Sequence, residues 1–124
     1  LIAMTDLDAR VIIDGNKIFT EFKGALTEQY ILQQLISDIK TVPYYYSTQN
    51  SNGEIDFLIQ GKTSVIPIEV KAEENLKAKS LKAFWEKHQP KYAVRTSMSD
   101  YREQEWMTNI PLYAINWIKK YMED

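Results

Sequence analysis

Ile66-Pro67-Ile68-Glu69-Val70-Lys71 is the stretch on which the fold of this 124-residue chain turns. Residues i and i+2 of a β-strand share a face. Ile66, Ile68 and Val70 therefore form one apolar face, and Glu69 and Lys71 project together from the other. The segment before it, Glu54-Ile55-Asp56-Phe57-Leu58-Ile59-Gln60, alternates in the same way. Ile55, Phe57 and Ile59 make its apolar face, with Asp56 opposite. Gly61-Lys62 reads as the tight turn between the two strands. Once they pair across it, Asp56 and Glu69 converge on one point.

Working outward, Pro43 breaks the chain, and Tyr44-Tyr45-Tyr46-Ser47-Thr48 has the aromatic and β-branched content of a strand. Asn50-Ser51-Asn52-Gly53 is a turn cluster, so the three strands form an antiparallel meander. Gly24 to Ile39 reads as a helix. Ile31, Leu32, Leu35 and Ile39 recur at three- and four-residue steps, and Leu26 and Tyr30 extend the stripe. Residues 1–23 are a lead-in. The turn signal Asp14-Gly15-Asn16 lies there between two short apolar runs, as a small hairpin or the tail of an element.

Beyond Lys71, Asn75 is placed to cap a helix from Leu76 to His88, with Leu81, Phe84, Trp85 and His88 on one face. Lys91 to Thr96 is a returning strand. Tyr101 to Asn109 is polar and unassigned. Pro111 to Ile115 reads as a last strand and Asn116 to Met122 as a last helix. The order predicts one α/β sandwich domain with a mixed sheet over residues 1–124. The opening Leu1-Ile2-Ala3, in place of Met, leads us to expect a fragment of a longer protein.

An apolar fraction of 44% with three Trp, eight Tyr and four Phe supplies a real core. The absence of cysteine excludes disulfides and thiolate metal sites and suits a reducing, cytoplasmic setting. No stretch approaches the ~20 apolar residues of a membrane span. A net charge of −2 argues against coating nucleic acid through bulk positive charge. It is compatible with carboxylates gathered to hold a divalent cation.

Such a cation, Mg²⁺ or Mn²⁺, takes oxygen ligands, keeps several waters, and is held by one or two carboxylates plus substrate phosphate. It lowers the pKa of a bound water and neutralises charge on phosphate. A lysine two residues from a ligating glutamate is placed to orient or deprotonate the attacking water, or to stabilise developing charge. Glu28 precedes Ile31, Leu32 and Leu35 by three, four and seven residues, so it lies on or beside the apolar stripe of its helix. A carboxylate turned toward a core is costly unless it meets a cation or donors. A helix packed over the sheet delivers Glu28 to the same point. Glu54 shares the face of Asp56 and is a rival ligand beside the turn. Alone, Glu69-Val70-Lys71 is also the pattern of an ordinary same-face ion pair.

The order helical Glu28, then Asp56, then Glu69-Val70-Lys71 resembles the PD-(D/E)xK, restriction-endonuclease-like nucleases. More closely, the chain is similar to the C-terminal domain of a large group of prokaryotic ATPases. The matching stretches are residues 23–28, 53–57, 66–71, 93–97 and 111–115. The resemblance implies a three-layer αβββαβ sandwich and metal-dependent hydrolysis of phosphodiester bonds in nucleic acid, most readily DNA. It implies that Asp56, Glu69 and the Val70 carbonyl hold Mg²⁺ or Mn²⁺, that Lys71 serves the water, and that Glu28 is an auxiliary acid or second-metal ligand. Ile55 replaces the proline that precedes the first motif acid. No P-loop is present, so any ATPase domain lies in another part of a longer chain.

Outside the core pattern, Lys77, Lys79, Lys82, Lys87 and Lys91 surround the second helix. They are a phosphate-contacting face or, with Glu73, Glu74 and Glu86 nearby, a solvated one, and the solvated reading is favoured. Tyr44, Tyr45 and Tyr46 could stack on bases, but the favoured reading is that at least one belongs to the core and the others flank the sheet. His88, on the face of Phe84 and Trp85, suits packing better than catalysis. Arg95 lies at the end of a strand and could reach the site, but the sequence alone does not place it. Two functions follow: a Mg²⁺-dependent deoxyribonuclease, or a catalytically silent nuclease-like module that binds nucleic acid or a partner.

Overall fold

A computed structural model describes residues 17–47, 54–72 and 78–124, with side chains of the first helix from Lys23 onward. Helix α1 spans Lys17–Ser37. Its start lies upstream of the expected Gly24, so Ile18-Phe19, expected in a hairpin strand, is helical. Asp14-Gly15-Asn16 lies outside the described residues. Ile31 and Leu35 are fully buried, whereas Leu26 and Tyr30 face solvent and do not extend the stripe. The chain reverses at Lys40, whose φ of 60° is left-handed, and the Thr41 N–H reaches back to the Leu35 carbonyl at 2.9 Å.

Three strands follow: β1 (Tyr44–Tyr46), β2 (Ile55–Gln60) and β3 (Val65–Lys71). Each pairs antiparallel with the next, as the meander predicts. The turn cluster at 50–53 lies outside the described residues. Between β2 and β3 the Gly61 N–H donates to the Ser64 carbonyl at 2.8 Å. A side chain at Gly61 would press its Cβ to 2.9 Å from that same oxygen, so the turn requires glycine.

Helix α2 spans Lys79–His88 and crosses to β4 (Val94–Ser97), which lies parallel to β3. Asn75 and Leu76 lie outside the described residues. The described helix begins after Ala78, which makes no side-chain cap. The polar segment holds β5 (Arg102–Glu103) and the start of β6 (Thr108–Pro111). β6 runs parallel to β4 and antiparallel to β5, giving the sheet order β1-β2-β3-β4-β6-β5. Pro111, expected to open a strand, closes one, because it has no N–H to continue a ladder. Leu112–Ile118 form 3₁₀ turns kinked at Ala114, whose φ of −114° and ψ of 22° are not helical, and lead into α3 (Lys119–Met122).

This is a mixed α/β sandwich with a core on each side of the sheet. Ile31 and Leu35 of α1, with Ala114, Ile115 and Ile118, pack on Ile59, Ile66, Ile68, Val70, Val94 and Ile110. On the opposite side, Leu81 and Phe84 of α2 pack with Ile55, Ala93 and Met107. One expectation fails instructively. Ile55 joins the α2 side, while Phe57 and Ile59 join the α1 side, so strict alternation breaks at the start of β2. No described helix is long and apolar enough to cross a membrane.

Candidate active site

The break in alternation sets the position of Asp56. Partners Tyr44↔Leu58 and Tyr46↔Ile55 differ in register, an irregularity where β2 begins. Such bulges re-aim one side chain. On the other edge of β2, backbone pairing with β3 reaches only Phe57↔Ile68. Past that point the Asp56 carboxylate takes over, and its Oδ2 accepts the Val70 N–H at 2.7 Å. Asp56 is thereby fixed against the Glu69-Val70-Lys71 segment.

Glu69 is only 6% exposed. The face it occupies is covered by the α2 core, not left to solvent. Its Oε1 lies 3.6 Å from Lys71 Nζ, as same-face strand geometry predicts. Its Oε2 is buried and has no hydrogen-bond partner among the described residues. Burial pushes the Glu69 carboxyl above its ordinary range. Lys71 and Arg95 oppose that shift, and the negative charge of Asp56 adds to it.

Glu28 reaches the site from α1. Burial, a hydrogen bond with the Asp56 carboxyl and the charge on Asp56 push its pKa from 4.5 up to about 7. Two carboxyls can share a hydrogen bond only with a proton between them, so Glu28 and Asp56 hold one proton as a pair. Tyr45 stands at the rim. Desolvation, then its hydrogen-bonded neighbour Glu54 and the charges of Asp56 and Glu28, raise its phenol above the ordinary range. Glu54 thus pairs with Tyr45 at the edge.

From Glu69 a polar row continues across the sheet. Glu69 is paired with Arg95 on β4, and Arg95 with Asn109 on β6. Arg95 is 5% exposed, and its Nε donates to Asn109 Oδ1 at 2.9 Å. Ser97 Oγ donates to the same oxygen at 2.8 Å. Asn109 Nδ2 in turn donates to the carbonyls of Ser99 and Asp100 at 3.1 and 3.0 Å. The i, i+2 spacing of Arg95 and Ser97 carried a signal for this row. Asn109 carried none, since its burial depends on partners remote in sequence.

Asp56 thus joins two pairs: Glu28 meets its carboxyl, and Glu69 with Lys71 lies across the Val70 N–H that Asp56 accepts. Lys79 and Lys82 are exposed on α2, and Lys77 lies outside the described residues. His88 packs its ring 4.6 Å from Phe84, with Nε2 3.3 Å from the Tyr46 hydroxyl, a packing role. Tyr46 is the core tyrosine of its triplet, and Tyr44 and Tyr45 are exposed.

Among the described residues no group of three or more His, Asp or Glu side chains is drawn close enough to hold a metal ion. Two carboxylates and a carbonyl nevertheless meet the need of a Mg²⁺ that keeps its waters. The unpartnered, buried Glu69 Oε2 is the donor such an ion would satisfy. No curated protein and no solved structure matches the chain. A family profile does match, over residues 23–115, a span that holds Glu28, Asp56, Glu69, Lys71 and Arg95. The chain belongs to the family described as Domain of unknown function (DUF4143).

Proposed function

We propose that this domain is a metal-dependent nuclease of the PD-(D/E)xK kind that hydrolyses phosphodiester bonds in nucleic acid, with DNA as the favoured substrate. In the full-length protein we place it beside an ATPase domain. The observation that carries the reading is the buried Glu69 carboxylate, with Lys71 on one oxygen and the other unpartnered, beside Asp56. Burying a carboxylate in this way is destabilising unless a cation meets it. Asp56, Glu69 and the Val70 carbonyl would hold Mg²⁺ or Mn²⁺. When bound, the ion supplies an acidified water and positive charge against the phosphate oxygens.

The chain's own residues do the rest. Lys71 presents its ammonium on the same face as Glu69, where it orients the attacking water and offsets charge developing on the phosphate. The hydrogen bond from the Val70 N–H fixes one oxygen of Asp56 against the Glu69-Val70-Lys71 segment. The Glu28–Asp56 pair keeps a proton below about pH 7, which withholds one negative charge from the cluster there.

The test is cleavage of single- and double-stranded DNA and RNA with Mg²⁺ or Mn²⁺, alongside chelator. Glu69→Ala and Lys71→Ala are expected to lower the rate by about 100-fold or more. Absence of cleavage on every substrate, or cleavage that survives both substitutions, would overturn the reading. The lack of a three-acid group among the described residues favours a second reading, a silent module that binds nucleic acid or a partner without cutting. It predicts metal-independent binding with no product.

A further inference from the structure

A cleft of about 400 Å³ opens on the polar row beyond Glu69. Arg95 and Arg102 line it, with Asn109, Ser99 and Asp100. We propose that this cleft is a phosphate subsite, which holds the backbone of a nucleic-acid strand next to the acidic centre. The identification of the strand as substrate rests on the nuclease reading; the anion-binding cleft does not.

Register places the parts. Arg95 is the β4 partner of Glu69, Asn109 is the β6 partner of Arg95, and Arg102 is the β5 partner of Asn109. The two arginines therefore flank Asn109 on a single line that begins at the acid pair. At about 4.8 Å per strand the line from Glu69 to Arg102 is roughly 15 Å, enough for more than one nucleotide of backbone. Asn109 fixes the shape. It takes the Arg95 Nε and ties down the carbonyls of Ser99 and Asp100, so one guanidinium is set in place before any ligand arrives. Desolvation disfavours the charge on Arg95, the Glu69 carboxylate offsets part of that, and Arg102 adds a smaller repulsion. The two anionic, non-bridging oxygens of a phosphodiester between the two arginines relieve both costs. Guanidinium groups are matched to phosphate in geometry and charge. The lining carries two arginines and one aspartate, a formal charge of +1 beside a negative centre. That polarity is what a polyanion needs if its scissile phosphate is to be drawn to a cluster of carboxylates.

Arg102 is exposed on a two-residue edge strand, so its replacement leaves the core intact. The experiment measures binding of a short fluorescein-labelled single-stranded DNA to the full chain by anisotropy, in chelator, across a salt series. Arg102→Ala is expected to weaken binding roughly three- to tenfold and to lower the slope of log K against log salt by about 0.7. Arg102→Lys should keep the slope, and Lys120→Ala, outside the cleft, should match the parent. No binding by the parent, or an unchanged slope in Arg102→Ala, overturns the subsite. If Arg102→Ala weakens binding while the parent never cuts, the subsite stands and the nuclease reading falls. If the parent cuts and Arg102→Ala changes nothing, only the subsite falls.

Discussion

A carboxyl raised from 4.5 to about 7 keeps its proton in the folded chain over a range where the unfolded chain has released it. Between those values the native state of this protein binds more protons through Glu28. Linkage then makes unfolding easier as pH rises, and the loss levels off above about 7, where both states are ionised. Solvent screening at a largely exposed side chain reduces the effect, to about 1 kcal/mol. Metal-free protein should therefore show a midpoint of urea denaturation that falls from pH 5 to pH 8. Glu28→Gln should flatten that fall, and a variant that keeps the parent's slope would contradict the shared proton. Glu69 presents the related case in a buried setting. Its ionised form is disfavoured by burial, and one oxygen has no partner. Glu69→Gln should leave the metal-free fold as stable as the parent, or more stable by about 1 kcal/mol, while it abolishes metal-dependent cleavage. Thermal denaturation and rate measured on the same preparation check this pair of outcomes. Loss of both together would mean that Glu69 serves the fold alone.

At the scale of elements, the β2–β3 hairpin decides whether the carboxylates meet. Gly61→Ala forces a Cβ against the Ser64 carbonyl, a backbone atom that cannot swing away. The substitution should cost about 1–2 kcal/mol in equilibrium urea unfolding and should lower cleavage through the register of Asp56 and Glu69. An unchanged stability would show that the turn relaxes freely. This hairpin was also the most legible part of the sequence, because alternation and a glycine are both local signals. Glu28 was legible for the same reason, through its three-, four- and seven-residue spacing to the buried stripe. The bulge at Ile55 was not, since alternation assumes regular pairing and the irregularity arises between two strands. The β5–β6 pair was hidden for another reason. Asn109 is buried by hydrogen bonds to Arg95, Ser97 and the 99–100 carbonyls, and no hydrophobic pattern marks it. Pro111 to Ile115 misled because a short apolar run fits a strand or a buried helical turn equally well. Pro111 ends the ladder, and the residues after it wind inward in 3₁₀ turns.

For the whole molecule, the boundary of the family match and the boundary of the folded unit are different. The match ends at residue 115, yet Ile118 is fully buried in the α1-side core. The last residues then close back on the hairpin. The Lys62 N–H donates to the Met122 carbonyl at 2.7 Å, and Thr63 Oγ1 to the Asp124 carbonyl at 2.9 Å. The Tyr92 hydroxyl meets the Asp124 carboxylate, and Tyr92 and Tyr121 stack with centroids 4.4 Å apart. The C-terminal segment therefore covers one core and braces the turn that sets the positions of Asp56 and Glu69. Ile118→Ala should cost about 2–4 kcal/mol, from lost transfer energy and the cavity left behind. Ending the chain after Ile115 should cost more, because it removes Ile118 together with the Met122 and Asp124 hydrogen bonds to Lys62 and Thr63. The shortened protein should lose its cooperative urea transition, and site function should go with it, even though Glu28, Asp56, Glu69 and Lys71 are all retained. A chain ending at Ile115 that unfolds cooperatively at the parent's midpoint would show that the family segment folds alone and that the closing contacts are ornamental to the site.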